Sequence, residues 1–230
     1  MIIECFGLPG AGKTTIAKGL AAQLSIDEIW LDGRRDVIVL NLMALFRHPL
    51  RYGRRTARAF SEPGSPRLQY YKLRHIFLYR NAIVEKARRR PLVIVDEGQV
   101  SNVLSAFERP LSESRILAEL GHLELPDLAL RVTAPDEERA RRLEARGYFS
   151  RSSEGEKYLR RWVEAMRANE AMVARMLPRL GVPCVPVDGR ASIDEVHAGV
   201  SAAIREAGVV GGRTSRTGDD HAPSASTSKP

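Results

Sequence analysis

A glycine-rich segment near the start of the chain carries a lysine and two hydroxyls at the spacing of a phosphate-binding loop. Residues 7–15 read GLPGAGKTT, and Gly7, Gly12, Lys13 and Thr14 complete the pattern G-x-x-x-x-G-K-[ST]. Glycines let consecutive backbone N–H groups curve around an anion, because they adopt φ angles that are costly for other residues. In such a loop the lysine reaches the β- and γ-phosphates of a nucleotide, and the first hydroxyl ligates Mg²⁺.

The flanking residues predict the two elements that such a loop requires. Residues 2–6 are a short apolar run typical of a buried strand, and residues 13–24 predict a helix with an apolar face. The N-terminus of that helix would direct its partial positive charge at the phosphates. We therefore predict an ATP site in which Lys13 is catalytic and Thr14 ligates Mg²⁺. Its predicted residues are Gly7, Leu8, Pro9, Gly10, Ala11, Gly12, Lys13, Thr14 and Thr15.

Two carboxylates follow the next strongly apolar segment. Residues 88–98 read RRRPLVIVDEG, in which a predicted strand ends at Asp96 and Glu97. The carboxyl end of a strand in an open parallel sheet lies at the ligand crevice, so Asp96 is predicted to hold Mg²⁺ through water. Glu97 is predicted to bind the acceptor and to take a proton from its hydroxyl. The alternative is an acidic turn without a catalytic role.

Arginines recur in residues 134–154, which read APDEERARRLEARGYFSRSSE. Arg139, Arg142 and Arg146 are three and four residues apart, so they share one face of a predicted helix. Arg142, Arg146 and Arg151 continue into a loop rich in glycine and serine. This pattern predicts a mobile lid whose cations meet the transferred phosphoryl group. A solvent-exposed helix face with surface ion pairs is the alternative.

Strand and helix patterns alternate along most of the chain. Strands are predicted at 2–6, within 28–41, and at 92–96, 128–133 and 184–188, and further helices at 69–90, 135–147, 154–180 and 192–207. The alternation predicts an α/β, three-layer P-loop NTPase fold with a five-stranded parallel sheet and an arginine-rich lid at about residues 139–155. EIWLD and VIVLN both qualify as the second strand, and the basic stretch 42–68 is predicted to be irregular.

Composition sets limits on the domain, its location and its partners. Residues 1–210 are predicted to form one domain, and residues 211–230, which are poor in large apolar side chains, a disordered tail. The net charge of +8 comes mostly from arginine and suits a phosphate-rich ligand, whereas no nucleic-acid-binding motif accompanies it. Cys5 and Cys184 lie in predicted buried strands, and no membrane helix or signal peptide is visible. A cytoplasmic protein that binds neither membrane nor nucleic acid is expected.

The order of these parts resembles nucleoside monophosphate kinases, and most closely thymidylate kinases, over about residues 1–207. IFLYRNAIVEKARRRPLVIVDEG is similar to the helix and acidic strand of that family, RRLEARGYFSR to its lid, and VPVDGRAS to its loop beside the donor adenine. The resemblance implies that Arg80 binds the acceptor phosphate or the adjacent strand end. It also implies that Arg142, Arg146 and Arg151 contact the moving phosphate. By the same resemblance, Asp188 to Ser192 line the adenine, and ATP and Mg²⁺ are the cofactors.

Two motifs differ from those of thymidylate kinases. Leu8 and Pro9 occupy a region of the phosphate loop where that family usually has an acidic residue, and LPGAGKTT looks more like the adenylate kinase loop. DEG at 96–98 stands where that family has DRY, so an arginine that grips the acceptor is missing. Residues 33–75 have no counterpart. These differences leave the acceptor unnamed, while the ATP motifs are intact.

Three functions of different class remain at this point. The first is an ATP-dependent phosphotransferase that moves the γ-phosphoryl group to a small acceptor with a hydroxyl or phosphate, held near Glu97 and residues 34–80. The second is an ATPase or nucleotide switch whose basic stretch 42–67 meets a protein or polymer partner. The third is a nucleotide-binding module without turnover. A homodimer is compatible with the sequence, which does not define the oligomeric state.

Overall fold

Five parallel strands form the centre of the fold in the computed structural model, which describes residues 1–29, 31, 33–59, 65–147, 151 and 154–210. The order of the strands across the sheet is β2-β3-β1-β4-β5, and every neighbouring pair is parallel. The predicted five-stranded parallel sheet is therefore confirmed, with the strand that precedes the phosphate loop at its centre. The strands are β1 (Ile2–Phe6), β2 (Asp27–Glu28), β3 (Val93–Val95), β4 (Leu128–Thr133) and β5 (Cys184–Asp188).

Helices cover both faces of the sheet. A π-helical turn (Lys72–Leu78) joins the fourth helix to the fifth, and a short 3₁₀ turn (Pro178–Leu180) follows the ninth. The helices are α1 (Lys13–Leu24), α2 (Arg34–Arg47), α3 (Pro49–Ala59), α4 (Pro66–Tyr71), α5 (Tyr79–Ala87), α6 (Gln99–Ala106), α7 (Glu113–Gly121), α8 (Asp136–Ala145), α9 (Glu156–Met176) and α10 (Ile193–Val210).

Apolar clusters fix the three layers. Ile3 of β1 packs on one face of the sheet with α1 and α10, and Phe6 packs on the other with α6, α7 and α9. This division follows from the strand, whose successive side chains point to opposite faces. A smaller cluster with Ile29, Ile83 and Val93 holds α5 against the edge formed by β2 and β3. That edge becomes one wall of the candidate site.

The second strand is the first of the two candidate segments. β2 begins one residue before EIWLD, and the N–H of Ile29 donates to the carbonyl oxygen of Ile94, 3.4 Å away. VIVLN lies inside α2 instead. There Leu40 and Asn41 face inward, and the amide of Asn41 donates to the carbonyl oxygen of Leu78 at 2.8 Å. An apolar run of this length does not distinguish a strand from a helix that is buried on one side.

Other predicted boundaries were wrong. Residues 42–68 are not an irregular stretch, because α2 continues to Arg47 and α3 covers Pro49–Ala59. Proline suits the first position of a helix, and arginine favours its interior. The helix predicted to begin at residue 69 begins at Pro66, capped by Ser65, whose Oγ accepts from the N–H of Leu68 at 3.1 Å. The helices α6 and α7 were not predicted.

Some predictions concern residues outside the described ranges. These are the tail, 211–230, and residues 148–150, 152 and 153 of the lid. Within the ranges that are described, no helix combines the length and the apolar character needed to cross a bilayer. The 1–210 domain boundary stays a prediction.

Candidate active site

The phosphate loop connects the end of β1 to the start of α1, as predicted. Gly7 has a φ of +147°, and a Cβ on this residue would lie 2.2 Å from the carbonyl oxygen of Val132 in β4. Gly12 has a φ of +103° and directly precedes the first residue of α1. At both positions the left-handed backbone disfavours any other residue. The loop can therefore direct its N–H groups and the helix N-terminus at one anion.

Lys13 lies inside the curve of this loop. Its Nζ donates to the carbonyl oxygens of Gly7 and Leu8, both at 3.2 Å, and lies 3.3 Å from Oε1 of Glu97. The side chain is buried, so its charge is compensated by these oxygens. A nucleotide phosphate entering the loop would replace Glu97 as the partner of this ammonium group.

Thr14 and Asp96 lie together at the edge of the same cavity. The hydroxyl of Thr14 donates to Oδ2 of Asp96 at 2.6 Å. Burial raises the pKa of Asp96, and the charge of Glu97 raises it further, while the hydrogen bond from Thr14 opposes the shift. Among the described residues, Oδ1 of Asp96 is buried without a hydrogen-bond partner. A hydroxyl beside an unsatisfied carboxylate oxygen fits Mg²⁺, which binds oxygen ligands and retains several waters.

Glu97 is ion-paired with two cations. It contacts Lys13 and, on its other oxygen, Arg80 of α5. Burial by itself would raise the pKa of Glu97, but Arg80 and then Lys13 outweigh it and hold the pKa at about 2. The side chain keeps 40% of its surface exposed, on the cavity side. Glu97 therefore stays ionised, accepts hydrogen bonds well and takes up a proton weakly.

Arg80 connects the end of β3 to α6. One guanidinium nitrogen donates to the carbonyl oxygen of Ser101 at 2.8 Å and to Oγ of Ser105 at 3.1 Å, and the other pairs with Glu97. The side chain is 6% exposed. Of the two roles that the resemblance implied for Arg80, these contacts correspond to fixing the strand end.

Glu4 in β1 is a site residue that sequence reasoning missed. Its carboxylate accepts from the N–H groups of Gly98 at 3.0 Å, Ser101 at 2.9 Å and Val100 at 3.2 Å. Burial raises the pKa of Glu4, and these three N–H groups oppose the shift. The carboxylate thus holds the start of α6, directly after Glu97. The signal was present, since a carboxylate inside the apolar strand IIECF requires a buried partner.

Arg139 and Arg142, in α8, donate hydrogen bonds to backbone carbonyl groups of the phosphate loop. Arg139 is buried, and its Nε donates to the carbonyl oxygen of Pro9 at 3.0 Å. Arg142 pairs with Glu138 at 2.6 Å and donates to the carbonyl oxygens of Ala11 at 3.2 Å and Gly189 at 3.1 Å. Arg139 was not predicted to bind the loop. Arg142 lies beside the loop, and it contacts carbonyl groups rather than pointing freely into the cavity.

Arg146 and Arg151, the other predicted lid arginines, both line the cavity but differ in burial. Arg146 is exposed. Arg151 is 1% exposed and donates to Glu108 at 2.8 Å and to the carbonyl oxygen of Ser105 at 2.6 Å. Its guanidinium lies 4.2 Å from the ring centroid of Trp162, within cation–π range. Arg151 is a fixed part of the cavity wall, held by partners that lay outside the predicted motif.

Asp188 lies at the end of β5, next to the phosphate loop. The N–H of Gly189 donates to the carbonyl oxygen of Thr133 at 2.7 Å, and a Cβ on Gly189 would lie 1.8 Å from the carbonyl oxygen of Ala11. Asp188 itself is largely exposed and pairs with Arg190 at 2.7 Å. The adenine-lining role of residues 188–192 stays a prediction, and the position of this segment against the loop is compatible with it.

Two neighbouring cavities meet at the carboxyl end of β3. The first, about 280 Å³, extends from the phosphate loop to Arg146, Arg151 and Trp162. The second, about 230 Å³, extends from Glu28 and Ile29 to the π-helical turn and α5. Tyr71, Arg80, Asp96 and Glu97 line both. Asp96, predicted to hold magnesium, and the predicted acceptor residues Arg80 and Glu97 thus lie where the two cavities meet, whereas Thr14 lines only the first.

A phosphate loop between β1 and α1, in a parallel sheet of this strand order, defines a protein with the P-loop NTPase fold. The chain belongs to the AAA domain family, whose family model matches residues 3–163. No curated protein matches the sequence.

Solved structures of deoxyadenosine kinase from M. mycoides share this fold. The one with the products dCMP and a flexible dCDP bound is 15% identical, with a TM-score of 0.53, over 90% of this chain and 100% of that chain. The one with bound dATP is 15% identical, with a TM-score of 0.52, over 89% and 100% of the two chains. At 15% identity, the similarity to these structures establishes the fold of the chain. Its function has to be argued from the residues of the candidate site.

Proposed function

We propose that the protein is an ATP-dependent phosphotransferase that moves the γ-phosphoryl group of ATP to a small acceptor of nucleoside or nucleotide type. The observation that carries the proposal is the pair of cavities joined at Arg80, Asp96 and Glu97. One cavity contains the phosphate loop and the other does not. An ATPase needs a water molecule at the γ-phosphate, whereas a kinase needs room for a second substrate there.

On the donor side, the chain supplies the groups that bind and polarise a triphosphate. Lys13 would exchange Glu97 for the β- and γ-phosphates, and the backbone N–H groups of the loop would hold the remaining oxygens. Thr14 and Asp96 would hold Mg²⁺, which neutralises charge on the phosphate oxygens when it is bound. Arg142 keeps the loop in its curved form by binding its carbonyl groups.

On the acceptor side, Glu97 would orient the attacking hydroxyl. The hydroxyl oxygen attacks the γ-phosphorus, the bond to the β–γ bridging oxygen breaks, ADP leaves, and the hydroxyl proton passes to Glu97 and then to solvent. Because the transition state of phosphoryl transfer is loose, positioning matters more than early deprotonation. A carboxylate whose pKa is held at about 2 suits such an orienting role better than the general-base role that the sequence predicted.

Arg146 and Arg151 would stabilise the phosphoryl group in flight. Both line the cavity on the side of the phosphate loop, and Arg146 is exposed enough to move. Exclusion of water by this part of the chain would suppress ATP hydrolysis. A role of the 139–155 segment as a lid, and of Asp188 to Ser192 beside the adenine, belongs to the same proposal.

Nucleosides and nucleotides are the first acceptors to test, because the deoxyadenosine kinase of similar fold is named for a nucleoside and has dCMP and dCDP, or dATP, bound in its solved structures. The finer resemblance to thymidylate kinases stays a prediction, and DEG at 96–98 still lacks the family's arginine. A homodimer, which sedimentation velocity would test, and a cytoplasmic location are further proposals that rest on the sequence alone.

One experiment separates the proposal from the alternative of an ATPase or switch. The purified protein is incubated with ATP and Mg²⁺, with and without a panel of nucleosides, nucleotides and sugars. ADP and free phosphate are measured in parallel with the phosphorylated acceptor. ADP formed in step with a phosphorylated acceptor supports the kinase. Free phosphate released at the same rate with no acceptor, or turnover that requires a protein or polymer, would contradict it.

A further inference from the structure

The second cavity differs in chemistry from the phosphate-loop cavity. It is called the acceptor cavity below and has a volume of about 230 Å³. It lies between the end of β2 and the helical segment that runs from α4 through the π-helical turn to α5. Such turns occur often at functional sites. The lining residues are Glu28, Ile29, Tyr71, His75, Tyr79, Arg80, Ile83, Asp96 and Glu97.

Carboxylates outnumber cations on this wall. The acceptor cavity has Glu28, Asp96 and Glu97 against a single guanidinium, that of Arg80, among the described lining residues. Lys13 also pairs with Glu97, from the side of the phosphate loop, and would pair with the nucleotide phosphates instead once ATP is bound. With ATP bound and Asp96 assigned to a magnesium ion, the carboxylates of Glu28 and Glu97 then face the guanidinium of Arg80 among the described lining residues. The nearby imidazole of His75 adds no charge at neutral pH, because burial, and then Arg74 and Arg80, lower its pKa.

Arg80 is also committed to the protein. One of its terminal nitrogens is shared among the carbonyl oxygen of Ser101 and the side chains of Asn102 and Ser105, and the other pairs with Glu97. To bind a ligand phosphate in the bidentate way that arginine favours, it would have to leave these partners. Glu97 would then lose one of its two ion-pair partners.

A phosphate monoester is therefore a poor match for the acceptor cavity. It carries a charge of roughly −1.5 to −2 at neutral pH. In this half-enclosed space that charge would meet an excess of like charge, and like charges repel more strongly there than in water. The lid cations Arg146 and Arg151 lie in the other cavity, on the side of the phosphate loop.

An uncharged compound with hydroxyl groups matches the same wall. Its O–H groups can donate to the carboxylates of Glu28 and Glu97. Burial and the charges of Asp96 and Glu97 raise the pKa of Tyr79, which keeps its phenol protonated as a donor. The rings of Tyr71 and His75 are stacked with centroids 5.2 Å apart, and Ile29 and Ile83 add apolar surface. Such walls favour a planar ring.

We infer that the acceptor is an uncharged nucleoside-type compound, phosphorylated on a hydroxyl group, and that the acceptor cavity rejects the corresponding phosphate monoester. This inference rests on the proposed phosphotransferase function and narrows it. It also departs from the resemblance to nucleoside monophosphate kinases, whose acceptors carry a phosphate.

The direct test compares nucleosides with their own 5′-monophosphates. Each ribo- and deoxynucleoside and its monophosphate is supplied with ATP and Mg²⁺, and kcat/KM is measured from the phosphorylated product. We expect the kcat/KM of the best nucleoside to exceed that of its monophosphate by at least about 100-fold, a lower bound, because sites that leave a polar group unpaired discriminate by about 10⁴–10⁵. Equal or better use of a monophosphate would overturn the inference and leave the phosphotransferase standing.

Failure of the broader proposal gives a different result. If ADP and free phosphate form without any acceptor, the phosphotransferase itself is contradicted. If sugars are phosphorylated and no nucleoside is, the phosphotransferase stands and the nucleoside inference falls.

Two variants test whether the charge of the wall causes the discrimination. Glu28→Gln removes a carboxylate at similar size, and His75→Arg adds a cation. Each should narrow the preference for the nucleoside over its monophosphate by about tenfold, which corresponds to 1.4 kcal/mol. Glu164→Gln, on an exposed position of α9, is the matched control and should leave the ratio unchanged. Melting temperature and ATP binding show that each variant is folded. Unchanged ratios in both folded variants would overturn the electrostatic argument.

Discussion

The phosphate loop occupies nine consecutive residues, whereas the acceptor cavity collects side chains from the end of β2, α4, the π-helical turn, α5 and the end of β3. The loop binds through backbone N–H groups whose direction is set by glycines and by the start of α1. The acceptor cavity binds through side chains that tertiary packing brings together. The donor half, which is the phosphate loop and its cavity, is therefore defined by a local stretch of sequence. The acceptor half, which is the acceptor cavity, is defined by the packing of the whole fold. A kinase of this type can therefore retain its phosphate loop while the residues of its acceptor cavity change.

The two halves also differ in charge. Lys13, Arg146 and Arg151 line the loop side, and carboxylates predominate on the acceptor side. Glu97 and Arg80 form the boundary, since they line both cavities. On the proposed function, a triphosphate would bind in the first half and a hydroxyl compound in the second. Substitutions on each side of the boundary should separate binding of ATP, transfer of the phosphoryl group and choice of acceptor.

The largest effect is expected for Lys13→Ala on the donor side. The ammonium group of Lys13 lies inside the curve of the loop, and loss of one preorganised electrostatic contact lowers kcat by on the order of 10²–10³. Steady-state kinetics and a melting curve measure activity and folding. Lys18→Ala, at an exposed lysine further along α1, is the control and should retain full activity. Near-normal turnover by a folded Lys13→Ala protein would show that the loop is not the site.

The next largest effect is expected at the boundary, for Glu97→Gln. The amide keeps the size but loses the charge that orients the hydroxyl, so we expect kcat to fall by roughly 10²-fold while the KM for ATP changes little. The exposed Glu156→Gln is a control of the same chemistry. A kcat equal to that of the wild type would show that Glu97 has no catalytic role. It would then support the alternative interpretation of residues 96–98 as an acidic turn.

The pH dependence checks the state of Glu97 independently. Its pKa is lowered from 4.5 to about 2 in the folded protein, so its ion pairs stabilise the fold above about pH 4.5. That contribution is lost as the pH falls towards 2. The rate should accordingly show no ionisation of Glu97 between pH 5 and pH 8. A loss of activity near pH 6 that disappears in Glu97→Gln would contradict the orienting role.

The sequence predicted the phosphate-loop half of the molecule better than the acceptor half. The phosphate loop, β1, α1, β4 and β5 were predicted with their bounds, because glycine spacing and short apolar runs are local signals. Asp96 and Glu97 were placed correctly at the end of a strand, since parallel strands deliver their carboxyl ends to the crevice. The structure brings Thr14 and Asp96 into contact, and the magnesium site itself stays a prediction.

The acceptor half could not be predicted to the same degree. VIVLN could form a strand or a helix until its neighbours were known, and the π-helical turn has no sequence signature of its own. Arg151 was predicted to be a cation on a mobile loop, but it is held by contacts with Glu108, Tyr158 and Trp162. All three of these residues lie outside the 134–154 segment from which the prediction was made. Long-range partners of this kind become visible only in the folded chain.

A further prediction compares the two arginines on the loop side. Arg146→Ala should lower kcat by about tenfold without changing the melting temperature, because its exposed side chain acts on the phosphoryl group. Arg151→Ala should also lower the melting temperature by roughly 4–10 °C, since it removes buried hydrogen bonds and leaves Glu108 with Lys72 as its remaining cation. Arg160→Ala, on the exposed face of α9, is the control. Equal stability of the Arg146 and Arg151 variants would contradict the fixed role of Arg151.

The smallest effect on turnover is expected for Glu4→Gln, in β1, where the side chain supports the backbone that follows Glu97. Glu4 contacts neither cavity, and it accepts three backbone N–H groups of residues 98–101. An amide can accept on its oxygen, but its NH₂ group would face an N–H donor, which costs about 1–3 kcal/mol for a buried donor left unsatisfied. The melting temperature should fall by several degrees.

Because residues 98–101 follow Glu97 and include a partner of Arg80, kcat should fall a few-fold at unchanged KM for ATP. Glu4→Asp, which keeps the charge on a shorter side chain, should recover part of kcat if position is what matters. A folded Glu4→Gln protein with wild-type stability and kcat would show that the boundary between the two halves is held without this carboxylate.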